Sequence, residues 1–332
     1  MGTSMDFERA GADALGAVFE ELASHRVASI AGLDGECLDQ LQALGVHVRG
    51  QAVLDDDVDL LSASTIRDAL TPATADWLRE LAVHAHIGST NTALLRRLDS
   101  DGVTGRVVTA EVQTAGRGRR GRAWLSPFGR NLAVSIGVAV DRPPAELGAL
   151  SLVVGLAVRD ALLEYGLKDI ELKWPNDVLM QGAKLAGILI ELAQPNRPAE
   201  VVIGIGVNVG CRQAVVPRVE QAVADVTDQV ERPSRNRLLG GLVNHVVAVC
   251  RRFDAEGFVP FRDRWDAAHH YHGRAVTLTL PGTSGPGDAV SGTVVGVASN
   301  GALRIASAAG VREYIAGEVS LRSAGASAGP DR

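Results

Sequence analysis

The chain has 332 residues, 46% of them apolar and only 4% aromatic, and carries 33 Lys and Arg against 39 Asp and Glu for a formal net charge of −6. That length allows one large domain with small additions or two to three domains, with a core built from aliphatic side chains. The acidic balance argues against a protein built as a whole to coat nucleic acid, and no apolar run is long enough to span a bilayer.

The amino-terminal stretch MGTSMDFERAGADAL lacks the basic start and apolar centre of a signal peptide. Residues 1–80 hold 15 Asp and Glu, 5 Arg and no Lys. Helical periodicity runs over Phe7–Leu22 and again through CLDQLQALGV, where Gly45 supplies a C-terminal stop. VHVRGQAVLDDDVDLL reads as two short strands joined by a polar turn, SASTIRDAL as a short helix, and Thr71-Pro72 with its small polar neighbours as a linker. From about 80 to 270, LAVHAHIGST, GRVVTAEVQT, NLAVSIGVAV, IELKWPND, KLAGILIELA and EVVIGIGVNV are strands or strand ends. SLVVGLAVRDALLEYG, NRLLGGLVNHVVAVCRRFDAEGF and PFRDRWDAAH are helices. Adjacent strands separated only by a Pro/Asn turn predict antiparallel pairs, hence a mixed sheet. From 273 to 322, short β runs with turn signals such as Asn300-Gly301 predict a small barrel. The final residues, SAGASAGPDR, read as a disordered tail. Cys37, Cys211 and Cys250 lie far apart without a C-x-x-C, which predicts reduced thiols in a cytoplasmic protein, with neither disulfides nor a zinc site.

Four arginines and three glycines fall within Gly116–Trp124, and Gly116, Gly118 and Gly121 satisfy G-x-G-x-x-G. A dinucleotide fingerprint needs a helix to open directly after the glycines. Here Pro127 and Gly129 follow instead, and no Walker loop occurs anywhere. What remains is a loop of guanidinium groups, suited to carboxylate and phosphate, on a backbone that can wrap closely around a ligand. Other chemical groups gather at strand ends: Ser89-Thr90-Asn91, Lys173-Trp174-Pro175-Asn176-Asp177, Lys184-Leu185-Ala186-Gly187, and Gly204-x-Gly206-x-Asn208.

Taken in this order and spacing, STN, QTAGRGRRGRAWLSPFG, KWPNDV, KLAGILIE and GIGVNV resemble the biotin–protein ligase family, over about residues 83–322. The resemblance implies an α+β fold: a mixed central sheet flanked by helices, related to class II synthetases and lipoate ligases, with a C-terminal SH3-like barrel. It implies four parts: a degenerate winged-helix-like region with linker (1–78), a catalytic biotin/ATP domain (79–272), the barrel (273–323) and the tail (324–332). It also implies ATP-driven formation of biotinyl-5′-AMP and transfer of biotin to one lysine of a biotin carboxyl carrier domain. Mg²⁺ accompanies ATP, and no protein-ligated metal is expected. By this resemblance Lys184, Arg119, Asp177 and Lys173 are catalytic. Biotin is bound by Ser89, Thr90, Asn91, Gln113, Arg117, Gly118, Arg119, Lys184, Gly187, Gly204 and Gly206. ATP and the adenylate are bound by Arg119, Trp124, Lys173, Asn176, Lys184 and Asn208. Asp177 orients the acceptor amine. A loop so rich in glycine is expected to order over the ligand and shield the anhydride from water.

Two alternatives belong to the same resemblance: a ligase that also represses the biotin operon, and a lipoate or octanoate ligase or transferase. Against repression, Leu22–Leu38 leaves little room for a positioning helix and turn. The would-be recognition helix also offers Asp34, Glu36 and Asp39 to DNA phosphates. DNA and membrane are therefore not expected partners, whereas a homodimer through the sheet edge is compatible with the family. His269, His270 and His272 read as a helix end that welcomes positive charge, and Trp265 as core.

Overall fold

The structure is a computed structural model describing residues 3–97, 102–195, 197–219, 221–280 and 289–321. The predicted tail lies outside these residues. The N-terminal part runs α1 (Thr3–His25), β1 (Val27–Ala28), α2 (Gly35–Ala43), β2 (His47–Val48) and β3 (Ala52–Val53). Its strands form an antiparallel sheet in the order β1-β3-β2. Asp34 caps α2 by accepting the Cys37 amide at 2.9 Å, and Gly45 leaves the helix with φ +81°. Between β1 and the two wing-like strands there is one helix, α2.

Two short helices follow, α3 (Ala63–Asp68) and α4 (Pro72–Trp77). The second replaces the predicted linker. Thr71 caps it by accepting the Thr74 amide, and Pro72 occupies the first turn, where its missing N–H has no helical partner to lose. The small polar composition marked a helix start, not a flexible joint.

The central sheet comprises β4 (Glu80–Ile87), β5 (Arg106–Gln113), β6 (Asn131–Val140), β7 (Ile170–Lys173), β8 (Asp177–Met180), β9 (Ala183–Gln194) and β10 (Ala199–Asn208), in the order β4-β5-β6-β10-β9-β8-β7. Only β4 and β5 are parallel among these pairs, so the sheet is mixed. The helices are α5 (Thr90–Arg96), α6 (Pro144–Leu147), α7 (Leu150–Tyr165), α8 (Arg212–Val215), α9 (Arg235–Glu256) and α10 (Arg262–Ala268). Helix α7 is apolar nearly all round and packs with α9 against the sheet, burying Val153, Leu156, Leu239, Leu242 and Ile136 in one cluster. Gly166 ends α7 at φ +112°, a left-handed conformation that costs glycine little. Helix α5 lies over β5, β6 and β10.

The C-terminal sheet contains β11 (Ala275–Thr279), β12 (Ala289–Val297), β13 (Leu303–Ser307), β14 (Gly310–Tyr314) and β15 (Glu318–Leu321), all antiparallel in the order β14-β13-β12-β11-β15. VREYIAGEVSLR, which reads as one β run, is two strands broken at Ile315–Gly317. Among the described residues no helix is long and apolar enough to cross a membrane. Cys37, Cys211 and Cys250 are buried thiols, and none of them is in a disulfide among the described residues.

The N-terminal part does not hang from the sheet. Leu15, Val18, Phe19, Leu22 and Leu41 share one apolar cluster with Val112 of β5 and with Phe128, whose ring stacks on Phe19 at 5.6 Å. The chain beyond β3 is bound as firmly. Asp59 accepts from Ser234 and Asn236 of α9, while Glu111 accepts the Leu61 amide and pairs with Arg235 at 2.6 Å.

Candidate active site

Every site residue named from sequence lies on the wall of one cavity, on the face of the sheet that carries α5. Ser89 caps α5, bringing Thr90 and Asn91 to the end of β5. Thr90 donates its amide to Gln113 Oε1 at 2.9 Å. Asn91 is buried over Gly204, where a β-carbon would overlap its amide. Gly206 is needed for the same reason: a β-carbon there would overlap the Trp124 indole. Both glycines lie on the cavity wall. They admit Asn91 and Trp124, the chain's own groups, and those side chains face the cavity.

The arginine loop is a small hairpin. Arg117 bridges Ala123, Trp124 donates its amide to Gly116 O at 2.9 Å, and a turn spans Arg119–Gly121 with Arg120 at φ 57°. Its cations are disposed unequally. Arg117 pairs with Glu191 at 2.6 Å, and Arg122 pairs with Glu318 of β15 at 2.6 Å, which holds the Glu318 carboxyl below its usual range. Arg119 has no carboxylate within ion-pair distance among the described residues. It donates instead to Asn176 Oδ1 at 3.1 Å, and burial, with Arg120 nearby, lowers its pKa. A half-buried guanidinium so placed is suited to an incoming anion.

The second group of cations comes from β7–β9. Lys184 Nζ lies 2.8 Å from Asp177 Oδ1 and 5.7 Å from the centre of the Trp124 ring. Lys173 lies 6.0 Å over Tyr271. The Trp124 indole N–H is buried without a partner among the described residues, so the platform offers an unused donor. Asn208 also lies on the cavity wall. Both its amide protons are taken, by Lys184 O and Ala224 O, which makes it a brace for the start of β9. Asn176 is likewise committed, accepting from Arg119 and donating to Ile188 O at 3.0 Å.

Three cavity neighbours were not singled out from sequence. Ser135 Oγ stands 2.5 Å from Asn91 Oδ1 and 2.8 Å from Thr90 Oγ1. Glu191 joins Asn91 to Arg117, and Glu318 joins the hairpin to the C-terminal sheet. Each meets its partner across more than 40 residues of chain, a separation that no local pattern reports.

The reading of His269 as a cationic helix end is overturned. It follows the last residue of α10, but its Nε2 accepts the Trp174 amide at 3.3 Å, its ring stacks on the buried Trp265, and burial drives its pKa down to about 3. A neutral ring fixes the backbone between Lys173 and Asn176. Because the folded pKa lies below the ordinary 6.5, the unfolded chain takes up a proton that the native chain refuses. This contribution to stability is complete above about pH 6.5 and is lost as pH falls toward 3, by up to roughly 1.4 kcal/mol per pH unit. Urea titrations between pH 7.5 and 5 should therefore show a shallower loss for His269→Gln, which keeps an acceptor and cannot titrate. Equal slopes would contradict it. Among the described residues no three His, Cys, Asp or Glu side chains are grouped to hold a metal ion.

The fold and cavity define a ligase class, and the comparisons agree. Residues 83–208 match the model described as the Biotin/lipoate A/B protein ligase family, and residues 271–322 that described as the Biotin protein ligase C terminal domain. The bifunctional ligase/repressor BirA of Escherichia coli is 35% identical over 273 residues, 82% of this chain and 81% of that protein. The biotin--[acetyl-CoA-carboxylase] ligase of Mycobacterium tuberculosis is 42% identical over 193 residues, 57% of this chain and 70% of that protein. The biotin protein ligase of Aquifex aeolicus, solved in complex with biotin and ATP, superposes with a TM-score of 0.63 at 29% identity, covering 74% of this chain and 99% of that one. The chain belongs to the biotin protein ligase family.

Proposed function

We propose that this chain activates biotin with ATP and transfers it to a lysine of a biotin carboxyl carrier domain. The observation that carries the reading is the convergence of Arg119, Lys184 and Lys173 on one cavity that also holds the Thr90–Asn91–Gln113 set and the Trp124 platform. In the first step a biotin carboxylate oxygen attacks the α-phosphorus of ATP, the bond to the β-phosphate bridge breaks, and pyrophosphate leaves. Two anions must meet, so cations fixed where charge accumulates lower the barrier. Arg119 and Lys184 hold the carboxylate and α-phosphate, and Lys173 faces the departing phosphates. Thr90, Asn91 and Gln113 hold the ureido ring, with Ser89, Arg117, Gly118 and Gly187 around it, and the adenine lies against Trp124. In the second step the carrier lysine attacks the acyl carbon and AMP leaves. The amine, with a free pKa of about 10.4, must arrive neutral. Asp177, which holds Lys184, orients it. Mg²⁺ comes as part of the substrate, on the triphosphate, while the cavity carboxylates Asp177 and Glu318 are each paired with a cation.

We assign the N-terminal part a structural role. A single helix, α2, lies between β1 and the wing-like strands, its start carries Asp34 and Glu36, and its side chains pack into the cluster with Phe128. The relative named as a repressor gives the second reading its interest. Mixing the protein with ATP, Mg²⁺, a carrier domain and either biotin or lipoate, then measuring the carrier by mass spectrometry, should show a biotinyl adduct and no lipoyl adduct. A lipoylated carrier would overturn the assignment. Salt-sensitive retardation of biotin-operon DNA would restore the repressor.

A further inference from the structure

We propose that Glu191 is a positioning residue that clamps the arginine hairpin to the biotin end of the cavity, so that the two parts of the site close together. The proposal rests on the biotin reading given above. Glu191 lies near the end of β9, away from the Lys184–Asp177 pair, and the reaction as described does not use it. Its carboxylate receives three hydrogen bonds from two elements. Arg117 Nη2 donates at 2.6 and 2.9 Å, and Asn91 Nδ2 donates at 2.8 Å.

Asn91 is itself fixed from behind. Its Nδ2 also reaches Leu189 O at 3.3 Å, its Oδ1 lies 2.5 Å from Ser135 Oγ, and the amide sits against the bare backbone of Gly204. Ser135 in turn stands 2.8 Å from Thr90 Oγ1, and Thr90 donates to Gln113. A polar chain therefore runs from Gln113 and Thr90, through Ser135 and Asn91, to Glu191 and the hairpin. A ligand that engages Thr90 or Asn91 sets the position of the amide to which Glu191 is bonded, and through it the carboxylate that holds Arg117. The Arg117 side chain is 44% exposed and that of Glu191 24%. An ion pair that open to water is weak, which suits a clamp that must release the product on every turnover.

The consequence is retention of the intermediate. With the clamp lost, biotinyl-AMP escapes and is hydrolysed by water to biotin and AMP. The test measures AMP formed from ATP and biotin by the full chain without any carrier, alongside carrier biotinylation. Glu191→Ala should raise carrier-free AMP formation about fivefold, the factor that corresponds to the roughly 1 kcal/mol ceiling of such exposed pairs. It should also raise KM for biotin more than it lowers kcat for transfer, because Asn91 loses a partner while the cations at the reacting atoms stay. Arg117→Ala should leak comparably, and the double variant should leak no more than either single one. Glu191→Gln, of equal volume, serves if the alanine variant does not fold, and should leak in the same direction. Unchanged carrier-free AMP in a folded Glu191 variant, or additive leakage in the double variant, would overturn the clamp. Wild-type protein that makes no biotinyl-AMP would instead overturn the ligase reading, and the clamp with it.

Discussion

Lys184→Ala is expected to lower biotin-dependent exchange of pyrophosphate into ATP by at least about 100-fold, the scale on which removing one preorganised charge from a reaction centre acts. The side chain lies 2.8 Å from Asp177 and over the Trp124 ring, so its position is set by the protein before any phosphate arrives. Preorganisation is what makes it effective, because no reorientation is needed as charge shifts toward the α-phosphate. The variant leaves Asp177 without its cation, so thermal unfolding must be followed in parallel. Lys184→Gln, which can still donate to the carboxylate, separates lost charge from lost packing. Exchange within tenfold of wild type, in either variant with an unchanged melting profile, would remove Lys184 from the role.

Arg235→Ala should have the largest effect on stability. Arg235 and Glu111 pair at 2.6 Å with side chains only 2% and 3% exposed. Arg235 also donates to Asn131 O and Asp59 O, and Glu111 accepts the Leu61 amide. Truncating the arginine leaves a carboxylate buried without a counter-charge, at a cost of about 3–5 kcal/mol. Removing both charges, as in Glu111→Gln with Arg235→Met, should recover a substantial part of that loss, because the desolvation penalty disappears with the pair. Denaturant unfolding at pH 7.5 measures both. A loss below about 1 kcal/mol for Arg235→Ala would show that water reaches Glu111, placing the pair with the weak surface bridges.

Legibility in the sequence followed the range of the forces involved. Strand and helix periods are local, so the six strand runs of the central region and the helices SLVVGLAVRDALLEYG and NRLLGGLVNHVVAVCRRFDAEGF could be read directly. The cations and amides of the cavity were legible because each sits in a short motif at a strand end. What escaped was long-range pairing. Glu191 sits in a run of apolar strand residues, and nothing nearby indicates that it meets Arg117, 74 positions earlier. His269 looked like one of three similar histidines, and only burial against Trp265 and the Trp174 amide makes it a neutral acceptor. Thr71-Pro72 shows the local limit, since the same residues favour a turn and begin a helix.

The joint between Leu44 and Phe128 has a consequence for any shortened form of the protein. Phe128 donates its amide to Leu44 O at 2.8 Å, Arg218 reaches Ala43 O at 2.9 Å, and the Phe128 ring completes the cluster around Phe19. Phe128 is four residues after Trp124. Trimming away the first fifty residues would strip the cover from one aromatic ring, worth about 1.5–3 kcal/mol by itself. It would also untether the strip of chain that carries the indole platform, so a shortened enzyme should be judged by its grip on nucleotide as well as by its solubility.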